Sequence, residues 1–124
     1  MIDLKDAVAE CRTQILMDVD ASDFRWPDPI MVRAANLTIS DILRKRPILL
    51  FSDINEYGNE EDFMIPDGAL KNGGTYGINI PAKYREAFLH GLAARCYNGD
   101  ANNQMDASRM AIEKQRFDEL MSLQ

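Results

Sequence analysis

A mainly helical fold is predicted by three features of this chain. Its 124 residues are enough for one hydrophobic core and too few for two domains of typical size. With 46% hydrophobic and 27% charged residues, the composition is that of an ordinary globular chain. Apolar residues recur at helical spacing in four segments, which are bounded by proline or glycine. We therefore expect one domain over residues 1–124, a small antiparallel four-helix bundle with a long loop or hairpin arm at about 48–80.

The first helix is predicted over residues 3–17. Its apolar residues recur at steps of four, three and four, which places them on one stripe of an amphipathic helix. These residues are Leu4, Val8, Cys11 and Ile15.

The second helix is predicted over residues 28–46. Asp28 is expected to cap its N-terminus, followed by Pro29 in the first turn, where a missing N–H costs nothing. Pro47 should end the helix, because proline restricts the residue before it and clashes with the preceding turn. The inward stripe is expected to hold Met31, Ala35, Ile39, Ile42 and Leu43.

The segment 48–80 is the least helical part of the chain. Two short apolar pieces, residues 48–51 and 63–65, are typical of strands, so we expect a weak hairpin or extended arm. Three glycines in residues 71–77 predict a loop. Since a connection of about 33 residues is much longer than most helix–helix links, this arm is expected to serve a function.

The third and fourth helices are predicted over residues 82–97 and 101–121. Asn98 and Gly99 should stop the third helix with a left-handed residue, and Asp100 or Asn102 should cap the fourth. The third helix should turn Tyr84, Ala87, Phe88 and Leu92 inward, and the fourth Ala107, Met110, Phe117, Leu120 and Met121.

The net charge of −6 argues against a protein that grips duplex DNA, whose affinity depends on neutralising phosphates. The acids are concentrated in residues 1–24, with a net charge of −4, and in residues 48–80, with −5, whereas residues 25–47 carry +3. No apolar run is long enough to span a membrane, and the N-terminus lacks the layout of a signal peptide. We therefore expect synthesis in the cytosol and no membrane partner.

Few residues suggest catalysis or cofactor binding. His90 is the single histidine and is expected at a helix surface or core edge, and no nucleophile motif accompanies it. Glu56, Glu60, Glu61 and Asp62 lack the spacing of a calcium loop, so a solvated acidic loop is the simpler interpretation. The two cysteines, Cys11 and Cys96, are expected to be buried and reduced. We expect no enzyme activity, cofactor or metal.

One stretch of the chain resembles a known family. Arg25-Trp26-Pro27-Asp28 opens the second helix, and Arg33, Asn36, Ile42 and Arg46-Pro47 follow along it at fixed spacings. With this pattern the chain is similar to the small head-tail connector (adaptor) proteins of tailed bacteriophages, and looser similarity continues through residues 80–100, Asn103 and Phe117. The chain differs from that family at Ala34, where a second tryptophan is frequent, and in the arm.

The resemblance implies a helical subunit of the virion that assembles into a ring, usually of twelve copies, beneath the portal protein. Genome DNA would pass through the ring without sequence-specific binding, and a tail or nozzle protein would dock below. The fold-motif and candidate interface residues are Trp26, Asp28, Asn36 and Arg46 from this resemblance, together with Arg44, Lys45, Glu60, Glu61 and Phe63 from the basic cluster and the arm.

Two interpretations of function stay open at this stage. The first is the ring subunit, in which the acidic arm meets basic residues 44–46 of the next copy. The second is a small phage-encoded regulator that binds one protein partner through that arm. Trp26, the single tryptophan, is expected to pack on the end of the bundle in either case.

Overall fold

The mainly helical fold is confirmed. The computed structural model describes residues 1–51, 59–71, 76–99 and 104–123. Its α-helices are α1 (Leu4–Glu10), α2 (Asp28–Lys45), α3 (Arg85–Asn98) and α4 (Gln104–Ser122). A two-stranded antiparallel sheet joins β1 (Ile2–Asp3) to β2 (Gly77–Ile78).

Helix α3 lies at the centre of the core, in contact with α1, α2 and α4. Gly91 explains how closely its neighbours approach. A Cβ atom at this position would lie 2.6 Å from Cγ2 of Thr38 on α2 and 3.0 Å from Cδ2 of Phe117 on α4. The predicted inward residues of α2 and α3 are all buried, which confirms those two stripes.

The first helix is shorter than predicted and changes its pitch. After Glu10 the chain continues as a π-helical turn over Cys11–Ile15, in which the Leu16 N–H donates to the Cys11 carbonyl at 2.9 Å. The wider turn accompanies the burial of Arg12, which is 8% exposed. A four-three-four apolar pattern cannot report this change, because it describes an ideal α-helix.

Helix α2 begins where it was predicted, but Asp28 does not cap it. Asp28 is the first helical residue, and the carbonyl of Pro27 accepts from the N–H groups of Ile30 and Met31 at 3.0 Å. Pro29 lies in the first turn as expected. The Asp28 carboxylate instead pairs with Arg12, so the prediction of a side-chain cap was wrong.

The described part of the arm folds back onto its own chain. Pro47–Leu50 and Glu60–Phe63 form 3-10 turns, so residues 48–50 are not the strand that was predicted there, and only Phe51 is extended. Phe63 and Ile65 are 8% and 3% exposed, and they pack in the core instead of presenting an unpaired edge. The acidic residue Glu56 and the glycines at 73 and 74 lie outside the described residues.

The sheet ties the end of the arm to the N-terminus. Ile2 pairs with Ile78 and Asp3 with Gly77, and both isoleucines are 1% exposed. Gly77 was predicted as loop but forms part of this strand. A Cβ atom there would lie 2.3 Å from Sδ of Met1, so the absence of a side chain allows the close approach.

The last two helices differ from the prediction in three ways. Ala82–Tyr84 is a 3-10 turn leading into α3, and Gly99 follows that helix with φ −66°, not in the left-handed region predicted for it. On α4, Phe117 and Met121 are buried, Met110 and Leu120 are half-buried, and Ala107 is exposed. Asp106 takes the inward position next to Ala107, and the predicted caps at 100 and 102 lie outside the described residues.

Candidate functional site

Trp26 joins the loop before α2 to the end of α3. Its indole Nε1–H donates to the Cys96 carbonyl at 3.0 Å, and its side chain meets the Tyr97 ring edge to face, with centroids 5.4 Å apart. The residue is 5% exposed, which confirms that it packs into the structure. The Arg25 guanidinium lies over the indole, 4.2 Å from the ring centroid.

Asp18 holds the backbone that presents Trp26. Its two carboxylate oxygens accept from the N–H groups of Arg25 and Trp26, each at 3.0 Å. Asp18 is 8% exposed and follows Met17, the one non-glycine residue with positive φ (54°) among the described residues. Nothing in the sequence separates this aspartate from its exposed neighbours Asp20 and Asp23, so its role was not predicted.

Arg12 also holds the loop before α2 in place. One of its nitrogens, Nη2, donates to the Trp26 carbonyl at 2.7 Å and to Asp28 at 3.1 Å. Its guanidinium lies 3.8 Å from the centroid of the Phe24 ring. Asp28, carried over from the resemblance, therefore pairs with Arg12, which in turn holds the Trp26 carbonyl.

A second ion pair connects the loop to α4. Arg25 donates through Nη2 to Asp106, which is 1% exposed. With Arg12–Asp28, this makes two matched pairs around Trp26, while Asp18 is satisfied by backbone N–H groups. Such an arrangement fixes a conformation, because each buried charge has a defined partner.

Asn36 fastens the arm to the middle of α2. Its amide Nδ2 donates to the Ile65 carbonyl at 3.0 Å, and its Oδ1 accepts from the Ile65 N–H at 2.7 Å. Glu60, at the start of the same docked segment, accepts a hydrogen bond from Ser40 of α2. Glu61 is exposed and lines a groove of about 520 Å³ between the arm and α2.

The three basic residues at the end of α2 have different surroundings. Lys45 pairs with Asp118 of α4 at 3.2 Å, and Arg46 donates to the Met121 carbonyl near the end of α4. The Arg44 side chain is 75% exposed and lies 3.8 Å from Asp41 on its own helix. Lys45 and Arg46 thus join α2 to α4, and Arg44 is the member of the cluster that faces outward.

The remaining chemically reactive side chains are largely enclosed. Nδ1 of His90 lies 2.5 Å from the Glu113 carboxylate, where α3 contacts α4. The sequence predicted this histidine at a helix surface or a core edge. Both cysteines are free and buried. Burial raises the pKa of the Cys11 thiol and raises that of Cys96 from 9.0 to about 12, so both are protonated near neutral pH.

Within the described residues, no group of three or more histidine, cysteine or acidic side chains is arranged to hold a metal ion. In the same part of the chain, none of the helices has the length and apolar character needed to cross a membrane. No protein-family model, curated protein or solved structure matches the chain.

Proposed function

We propose that this protein is a structural subunit of a tailed-phage virion, forming a ring at the head-tail interface. The ring, of twelve copies by the resemblance, would bind the portal protein on one side and a tail or nozzle protein on the other. Genome DNA would pass through its channel. The role requires neither catalysis nor a cofactor.

The proposal is carried by what the family-like residues do in this structure. Trp26 bonds to Cys96, Asn36 to Ile65 and Arg46 to Met121, so each joins segments at least 29 positions apart in sequence. Residues that make long-range contacts determine the fold of the whole chain. Their agreement with the connector pattern therefore supports a shared fold more strongly than a short local likeness would.

The arrangement of the helices also suits the proposal. We infer an antiparallel four-helix bundle around α3, since that helix contacts each of the others and short or docked segments connect them. The described part of the arm docks on α2 through Asn36 and Ile65. The outer surfaces of the protomer are then left for protein partners.

The charge supports a channel role. Carboxylates repel DNA phosphates, so an acidic ring would let the genome slide without adhering to its wall. The net charge of −6 per chain is repeated in every copy of a ring.

Measuring mass separates this proposal from the regulator. Light scattering of the purified chain, alone and with portal-bearing heads, should show a multimer or portal-dependent attachment of many copies. A stable monomer that ignores portal and binds one other protein would support the regulator and overturn the ring.

A further inference from the structure

A groove of about 400 Å³ lies beside Trp26, between α2 and the end of α3. Its apolar wall is formed by one stripe of α2, in which Ile30 and Leu37 are 40% and 44% exposed and Ala34 lies between them. Its charged lining consists of three arginines, with no carboxylate among the described lining residues: Arg25, Arg33 and Arg95.

Arg33 is the arginine available to a partner. Arg25 is paired with Asp106, and Arg95 with Asp41 through two bonds of 2.6 and 3.2 Å. Arg33 is exposed and has no hydrogen-bond or ion-pair partner among the described residues. Arg33 also lines the larger groove beside Glu61 and makes no ion pair there, so the groove beside Trp26 combines an exposed apolar wall with one arginine that has no ion-pair partner among the described residues.

A protruding turn on the same chain has the complementary properties. Met17 and Val19 are 72% and 66% exposed, and the carboxylates of Asp20 and Asp23 are exposed beside them. The turn has a defined shape, because Asp18 is anchored to the loop backbone and Asp20 accepts two bonds from Ser22, at 2.7 and 3.1 Å. An ordered apolar and acidic turn loses little conformational entropy when it binds.

The turn adjoins the groove through Asp18, which holds the backbone of Arg25 and Trp26, but its exposed residues lie outside the groove lining. Met17 lines a different cavity, with Tyr97 and Ile112, and that cavity shares no described lining residue with the groove. A copy of the chain therefore carries both halves of a potential contact at two places. Contacts of this head-to-tail kind repeat from copy to copy and form a ring when the rotation closes.

We propose that the groove of one copy receives the Met17–Asp23 turn of a second copy, with Val19 against Ile30 and Leu37 and Asp20 facing Arg33. This inference rests on the proposed ring function and specifies its subunit contact. Arg33 becomes the main charged partner at this contact, since Lys45 and Arg46 are already bound to α4.

Disulfide trapping tests the contact. Val19→Cys and Leu37→Cys chains are mixed with portal-bearing heads, oxidised and separated on a non-reducing gel. We expect mixed 19–37 dimers and no dimers from either variant alone. Leu123→Cys, at a position 78% exposed and outside both surfaces, is the control and should give no dimers with Leu37→Cys. The native thiols are buried and should not compete.

The possible results lead to different conclusions. Dimers from Leu37→Cys alone would indicate a two-fold contact across α2 and overturn this inference. Rings on the heads without mixed dimers would overturn the inference while leaving the ring function intact. No attachment or self-association of the wild-type chain under any condition would overturn both.

A charge exchange tests the pairing of Asp20 with Arg33. Arg33→Glu and Asp20→Lys should each weaken self-association by about fivefold, the scale of an exposed ion pair. A chain carrying both changes should recover at least half of the loss. Arg116→Glu is an exposed control on α4 and should change nothing. Equal weakening by this control, or no recovery in the double variant, would contradict the pairing.

Discussion

The side-chain amide of Asn36 satisfies both backbone groups of Ile65, donating to its carbonyl at 3.0 Å and accepting from its N–H at 2.7 Å. The amide pairs with the Ile65 backbone as a neighbouring strand would, so one residue of α2 fixes the position of the arm. The side chains of Ile65 itself and of Phe63, two residues earlier, pack in the core.

Replacing Asn36 by alanine should destabilise the fold by about 1–3 kcal/mol, because it leaves two partly buried backbone groups without partners. Urea denaturation measures the change. Asn79→Ala, at an exposed position, is the matched control and should stay within about 0.5 kcal/mol. Equal effects of the two substitutions would show that the Asn36 contact contributes nothing.

Trp26→Ala should lower the free energy of unfolding by about 3–5 kcal/mol, as truncation of a buried large aromatic does. Trp26→Phe keeps most of the apolar contact and loses the bond to Cys96, so we expect a smaller loss of about 1–3 kcal/mol. A loss below about 1 kcal/mol for the alanine variant would mean that Trp26 serves a partner and not the fold.

Gly91→Ala should be destabilising by about 1–3 kcal/mol, although alanine is the better helix former. Its methyl group would meet Thr38 and Phe117 at distances that force the helices apart. Gly68→Ala is the control, since the nearest atom to its new methyl group is Cδ of Lys71 at 4.0 Å. Thermal melting that ranks the two variants in the opposite order would contradict the close helix packing.

The thiols of Cys11 and Cys96 should react with a thiol reagent only when the chain unfolds. Both are buried with raised pKa values, so the folded state holds the neutral form. The Cys96 thiol has a pKa of 9.0 when unfolded and about 12 when folded. The stability that depends on its neutral form is therefore complete below about pH 9 and falls as the pH rises from there towards 12. Rapid labelling of the folded chain at pH 7.5 would contradict this.

Sequence patterns predicted the helices best where the interior is apolar and regular. The inward residues predicted for the second and third helices are all buried. Met31 through Leu43 follow one α-helical period and Ala87 through Leu92 another, and Tyr84 is buried from the 3-10 turn that leads into α3. Asp18, Arg12 and Asp106 were missed, because the burial of a charge depends on partners that no helical or strand period brings together. The apolar residues of the arm predicted a weak hairpin or an extended arm. In the structure, residues 47–50 and 60–63 form short 3-10 turns, and Asn36 holds Ile65 against α2. The sequence indicated that Trp26, Asn36 and Arg46 matter, but their contact partners could be identified only from the structure.

Cryo-electron microscopy of portal-bearing heads incubated with this protein tests the central claim most directly. The ring account predicts a closed ring of identical helical subunits beneath the portal, with an open channel along its axis. Heads that carry no added density, or only a single copy bound off the axis, would contradict it.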